Sequence, residues 1–415
     1  MSDTYNLVTK AKNLGYACEV YYIERTEYNL GKEKEFISST LRERGFGVRL
    51  FKDGYVGFAF DTRISDSLLD RAISTLKVSE KDPSNEPPPA KKPNLLSLNK
   101  GEGSMERAKE TLKNIEDIGG EVNLISVQIS SSRNKVGVIS SEGVDVHEVR
   151  TSVSVSVIAN YKDSSVVTPE LYETGSGRSF EDVDIELLKE EVINKVKITK
   201  SREKLDRKSD VIILTTKALS ELLHPLLAYS VNAENVYRKR TPLNLGEEYG
   251  SLSVIDNPRE ERSEFSRSFD GEGQPTSSIT LFENGIFKNF LTNWFWSRKM
   301  NVQNSASAIR SFMSVPTIGT STIEIVHEDN FEEDGLVIDQ VQGVHTSSWD
   351  SGEFSVVAPI AWVTKKESKR GVREVIISGD LKTLLRGVIG EVGQPRRISS
   401  VKSANLAIKG LSVVY

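Results

Sequence analysis

Ser79 to Asn94 (SEKDPSNEPPPAKKPN) holds five of the chain's 13 prolines. Proline lacks the amide donor and fixes φ, so neither a helix nor a central strand can run through this stretch. The fold must be assembled from what lies on either side, and the segment itself reads as an exposed connector. At 415 residues the chain also exceeds the size at which one hydrophobic core usually stops growing, which favours two or three domains, with two as the starting count.

Upstream, Ser2 or Asp3 is placed to cap a helix in which Leu7, Val8 and Ala11 fall at helical spacing and which stops at Gly15. Residues 17–62 read as short β-rich runs (CEVYYIER, FISSTLRE, GFGVRLF, GYVGFAF) punctuated by Gly, Asn and Asp, the pattern of an antiparallel meander. Helical periodicity returns from Ser65 to Val78. Past the connector the pattern predicts a helix around Met105 to Ile118, strands between Glu121 and Lys162 with the alternation SVSVSVIANY, and a helix from Phe180 to about Lys200. A fresh unit opens at Ser209 with the strand VIIL and a helix striped by Leu219, Leu222, Leu223, Leu226 and Leu227. Beyond Asn244 the chain is mostly β; Asn284-Gly285 between alternating runs signals a hairpin, and a late helix spans Asp380 to about Val388. The fold class expected is α+β. An N-terminal α+β domain with an antiparallel sheet (1–205) precedes a mostly β C-terminal domain with a few helices (206–415).

A net charge of −5 and a pI near 5.7 speak against a general nucleic-acid binder, which needs an excess of Lys and Arg on one face. The single cysteine, Cys18, excludes an intrachain disulfide and a multi-cysteine zinc cluster. No apolar leader segment and no run of about 18 apolar residues is present, so the expected location is cytoplasmic, away from membranes. There is no P-loop, no GxGxxG after a strand and no GxSxG elbow.

His147 and His327 each precede a glutamate, but Thr151 and Phe331 stand four residues on, so neither opens HExxH. His345 lies in a Gly- and Ser-rich loop (VQGVHTSSWDSGEF), where a polar side chain can reach a cleft. His224 follows Glu221 by one turn on the leucine-striped helix; such a pair holds a metal only when further ligands converge.

That helix, LLHPLLAYSVNAENVYRKRTPL, together with SFDGEGQPTSSITLFENGIFKNFLTNWFWSRKM, VQGVHTSSWDSGEFSVVAPIAWV and REVIISGDLKTLL, resembles the TldD/PmbA metallopeptidase family, also labelled modulator of DNA gyrase. The resemblance is to its TldE/PmbA-type branch. In the TldD branch the helix carries HExxxH, whose histidines bind zinc and whose glutamate is the general base, and a later cysteine completes the site. Here Leu222, Leu223 and His224 match, while Pro225 replaces the glutamate, Tyr229 the second histidine and Ala358 the cysteine. Proline and alanine have no donor atom and neutral tyrosine is a poor zinc ligand, so neither metal nor catalytic residues are expected in this chain.

The resemblance implies a subunit that pairs with a zinc-bearing TldD-type metallopeptidase as a heterodimer in peptide proteolysis, with a homodimer when alone. Peptide substrate would add to a sheet edge near a loop holding Asp270, Glu272 and Gly273, with His345 as a further contact; alternatively Asp270-Gly271 simply makes a turn. Two other readings stay open: a self-sufficient hydrolase with a relocated metal on Glu221, His224 and His345, and a regulator of DNA gyrase without direct nucleic-acid contact. Pro225 cannot donate to the Glu221 carbonyl, so the helix is expected to bend there or leave that carbonyl free.

Overall fold

The computed structural model describes residues 2–101, 103–205, 209–332, 334–366, 368–373 and 375–415. The expected boundary at 205/206 borders residues 206–208, which lie outside the described residues. Helix α1 (Ser2–Asn13) buries Leu7, Val8 and Ala11, and Gly15 leaves it at φ +81°. There follow β1 (Ala17–Lys32), β2 (Phe36–Lys52), β3 (Tyr55–Asp61), α2 (Asp66–Lys77), α3 (Met105–Glu116), β4 (Asn123–Ser140), β5 (Asp145–Asn160), β6 (Leu171–Gly177) and α4 (Ile185–Lys200). The six strands form an antiparallel sheet in the order β3-β2-β1-β4-β5-β6.

One expectation changes here and a second gains detail. FISSTLRE and GFGVRLF are not separate strands but one, β2, because Gly45 and Gly47 mark close packing rather than turns. A Cβ on Gly45 would stand 2.2 Å from the Phe312 ring, and one on Gly47 would stand 2.5 Å from the Phe312 carbonyl. The proline-rich segment is an irregular connector with half of its 16 residues exposed, but it is pinned at several points. Pro88 and Pro93 are buried. The Asp82 amide donates to the Gly54 carbonyl at 2.9 Å, the Gln274 side chain reaches the Pro89 carbonyl at 2.8 Å, and Arg259 reaches the Asn94 carbonyl at 3.0 Å. A chain that cannot pair in a ladder still offers backbone groups, and both halves of the molecule use them to pin it as a strap.

In the second half a large mixed sheet runs through the strand Ile212–Leu214, which lies parallel to Gly335–Gln342 on one side and antiparallel to Val401–Ile408 on the other. One face, with Ile212, Leu214, Leu336 and Ile338, packs on the leucine-striped helix. The opposite face, with Ile213, Val337, Ile360, Trp362 and Ala407, shares a core with Leu112 and Ile115 of α3, Val192 and Val196 of α4, and Val127 and Val155 of the first sheet. The layers are therefore sheet, helices, sheet, helix. The hairpin turn forms as expected: Asn284 (φ +47°) and Gly285 (φ +79°) join Ile279–Glu283 to Ile286–Phe287 in the double left-handed geometry of a two-residue turn.

The leucine-striped helix begins at Thr215, whose hydroxyl accepts the Ala218 amide at 3.2 Å. After one turn it widens into a π segment, Leu219–Leu223, in which the His224 amide reaches back to the Leu219 carbonyl, and then resumes as His224–Ser230. The distortion expected from Pro225 takes this form. An extra residue in the turn lets a proline enter at the start of a new helical segment, where its missing donor leaves nothing broken.

Candidate functional site

The π segment fixes where each side chain of the degenerate motif points. His224 sits in a pocket of hydroxyls, with Nε2 2.9 Å from Thr320 Oγ1 and Nδ1 3.3 Å from Ser400 Oγ. Burial pushes its pKa down to about 4, so the ring is neutral near pH 7. Tyr229 donates its hydroxyl to Asp350 and its ring packs on Trp349 with centroids 5.8 Å apart. Burial, then the bond to Asp350, pushes this phenol up to about 12. Ala358, paired with Val375, is sealed in the apolar cluster that contains Leu222, Leu226 and Leu227. Zinc does not fit these residues: both His224 nitrogens are engaged, Pro225 and Ala358 offer no donor, and the Tyr229 proton is held by its partner.

The alternative ligand set does not assemble either. Glu221 accepts the Tyr172 hydroxyl and, at 2.7 Å, the Val341 amide. His345 stands exposed on the turn Val344–Thr346. Among the described residues no three of His, Cys, Asp and Glu converge in a way that could hold a metal ion.

The loop at Asp270 is tight and buried. The Asp270 carboxylate accepts the amides of Glu272 and Gln274, each at 2.9 Å, and of Ala308 at 3.2 Å, while the Gly273 amide bonds the Asp270 carbonyl at 3.0 Å. Burial, then repulsion by Glu272, pushes Asp270 up to about 7. Gly273, at φ +75°, presses on the first sheet, and a Cβ there would stand 2.6 Å from Val144. Glu272 accepts Arg49 at 2.9 Å and the Trp294 amide at 2.7 Å. Arg49 also grips Glu19 through two bonds of 3.0 and 2.7 Å, and Arg310 meets Glu19 at 2.6 Å. These residues clamp the loop to β1 and β2; Glu272 also borders a cavity of about 220 Å³ walled by Phe51, Trp294, Trp296 and Pro316.

Sequence reasoning missed a second buried charge cluster. Lys195 lies 2.7 Å from Glu173, 3.0 Å from Asp339 and 3.1 Å from Glu191; Lys217 lies 3.1 Å from Glu173 and 3.6 Å from Asp339. Against the cost of full burial, the two ammonium groups hold Asp339 below the usual carboxylate range, though neither of its oxygens has a well-aligned hydrogen bond. The same opposition, burial against the charge of Lys217 and the bond from Tyr172, pushes Glu221 up to about 7, with burial dominant. A signal existed: Lys195 falls on the apolar stripe Leu188, Val192, Val196, and Asp339 interrupts the buried strand LVIDQV. Beside this cluster, β6 and residues 395–398 enclose a cleft of about 300 Å³ bordered by Glu191, Glu260, Arg262, Arg396 and Lys402.

The chain is thus a layered α+β molecule built around a helix that widens at Leu219–Leu223. Three models of one family cover it: PmbA/TldA metallopeptidase domain 1 over residues 18–78, the central domain over 82–199 and the C-terminal domain over 208–414. The chain belongs to this PmbA/TldA (TldD/PmbA) metallopeptidase family. It is 25% identical over 404 residues to an uncharacterized protein of Methanocaldococcus jannaschii, covering 93% of this chain and 94% of that one. It is 21% identical to the zinc metalloprotease TldD homolog of Saccharolobus solfataricus, covering 92% and 90%. TldE of Thermococcus kodakarensis has the same fold, with a TM-score of 0.90 at 20% identity over the whole of both chains.

Proposed function

We propose that this chain is a TldE/PmbA-type subunit of a two-component metallopeptidase, holding no zinc itself and working beside a TldD-type partner that supplies the metal and the general base. The observation that carries this reading is the helix Thr216–Ser230. It has a distorted helical frame on which a metal motif could be built, yet at the motif positions stand a hydroxyl-bonded His224, Pro225 and an Asp350-bonded Tyr229, with Ala358 in the apolar core opposite. Supporting it are the family, the zinc metalloprotease named among its relatives and the fold shared with a TldE.

In this reading hydrolysis belongs to the partner, and this subunit helps enclose and present a peptide. Asp270 and Gly273 hold the wall of the cavity that Glu272 borders, while exposed His345 remains free to meet substrate. The first 205 residues and the remainder act as two units of one cytoplasmic protein. No helix is long and apolar enough among the described residues to cross a membrane.

The test is reconstitution. The purified chain alone should cleave no peptide in a chelator-sensitive way and should bind less than one zinc per chain. Mixed with the TldD-type subunit of its own source it should copurify and support chelator-sensitive cleavage. Robust zinc-dependent cleavage by the chain alone overturns the proposal.

A further inference from the structure

We infer that the pocket around Arg178 binds a small oxyanion, a phosphate or carboxylate group, where the first sheet meets the second half of the chain. The site stands apart from the degenerate motif and from the loop at Asp270.

Arg178 follows β6 directly and keeps only 1% of its surface in water. Its guanidinium donates from Nη1 to the Thr151 carbonyl at 2.9 Å and from Nη2 to the Ser266 carbonyl, while Nε has no partner. Asp182 accepts the Arg178 amide at 3.1 Å, not its guanidinium. The nearby carboxylates are engaged elsewhere: Glu148 accepts Arg150 at 2.6 Å and Glu264 accepts Arg397 at 2.9 Å. Around Arg178, three guanidinium groups therefore stand against two carboxylates. Burial, then repulsion by Arg150, pushes the Arg178 pKa down to about 10, which still leaves it charged at pH 7. Stranding a charge in a protein interior is costly, and a retained one points to a ligand that brings the opposite charge.

The space beside Arg178 suits such a ligand. A pocket of about 30 Å³ is lined by Ser131, Ser132, Thr151, Ser152 and Ser179, with exposed Lys100 and Arg107 at its mouth. No carboxylate lines it among the described residues. Arg107 is tied to Glu181 at 2.6 Å, whereas Lys100 meets no carboxylate among the described residues. Helix α3, 12 residues long, starts two residues past Gly103 of the pocket wall and brings the positive end of its dipole close. One enclosed water needs roughly 10–15 Å³ on this measure, so the pocket takes two or three oxygen atoms. That is the end of a phosphate or carboxylate group and excludes a sugar or a base. Guanidinium and hydroxyl donors hold such oxygens through directed, charge-assisted bonds. Arg178 already links Thr151 of β5 to Ser266 of the second half, so an anion held by it fastens that junction.

Thermal melts of the full chain at constant ionic strength test this. Replacing chloride with phosphate should raise the melting temperature, by about 3 °C once phosphate exceeds its Kd a hundredfold. Two short peptides that differ only in a free or an amidated C-terminus separate the sources. A rise with phosphate supports the free ion, and a rise with the free-carboxyl peptide alone supports a peptide end. Lys100→Gln should weaken the anion's effect severalfold without changing the melting temperature in chloride, since Lys100 is exposed, and Lys109→Gln on the exposed side of α3 should change neither. Arg178→Met should abolish the effect; if that variant fails to fold, Lys100→Gln still decides. No rise with phosphate or with the free-carboxyl peptide, an equal rise with the amidated peptide, or a rise that survives Lys100→Gln undiminished overturns the inference. Copurification with a TldD-type subunit is read separately, so the two proposals can fail independently.

Discussion

Replacing Arg49 with methionine keeps most of its bulk and removes its charge from the clamp between the first sheet and the Asp270 loop. Arg49, Glu19 and Glu272 retain 6%, 1% and 1% of their surface, so water cannot substitute for a lost partner. Arg310 still neutralises Glu19 at 2.6 Å, but Glu272 is left with only the Trp294 amide at 2.7 Å. Stranding one buried charge by removing its partner typically costs about 3–5 kcal/mol. A 415-residue chain has an unfolding entropy of roughly 0.9 kcal/mol/K, so the melting temperature should fall by about 3–6 °C. Circular dichroism melts of Arg49→Met would measure it. Adding Glu272→Gln removes the stranded charge and should restore about 1–3 kcal/mol. Arg49→Met melting within about 1 °C of the parent, or a double variant worse by the full cost of Glu272→Gln, would refute the reasoning.

Glu221, pushed up to about 7, binds its proton more tightly folded than unfolded, so its stabilising contribution is complete below about 4.5 and is lost as pH rises through 7. Glu221→Gln should therefore match the parent near pH 4.5 and exceed its stability at pH 8 by up to about 3 kcal/mol; parallel stability curves from pH 4.5 to 8 would count against the assignment. Pro225→Glu with Tyr229→His and Ala358→Cys should leave the fold intact and create weak zinc binding, measured by calorimetry. No uptake by a well-folded triple variant would show that the remaining pocket cannot close around a metal. Limited proteolysis should begin at the exposed turn Glu33–Glu35 rather than in the pinned strap at 79–94, and mass mapping of the first fragments decides between them.

Much of the fold was legible because its local signals agree with its packing. The alternation in SVSVSVIANY, the Asn284-Gly285 turn and the leucine stripe each specify one structure without help from distant residues. Pro225 was legible too, since a missing amide must be accommodated wherever it falls. That the connector is pinned as a strap was not legible, because its partners, Gly54, Arg259 and Gln274, lie elsewhere in sequence and no local composition announces them. Gly45 and Gly47 misled for a similar reason: a glycine that admits the Phe312 ring looks the same as one that makes a turn. Around the candidate site, the motif substitutions could be read residue by residue, but Thr320 and Ser400 beside His224, and Asp339 beside Lys195 and Lys217, come from strands and loops far along the chain. Only the lysine on an apolar stripe and the aspartate inside a buried strand gave a trace of them.

The core that joins Val192 and Val196 to Ile213, Val337, Trp362 and Ala407 has a consequence for how the molecule is made. A ribosome releases α3 and α4 first, and Ala407 follows about two hundred residues later, which at 5–20 residues per second takes roughly 10–40 s. Throughout that interval the nascent first half displays a greasy flank whose cover has not yet been translated. A gene split near residue 205 would, for the same reason, deliver two polypeptides each sticky on the side meant for the other.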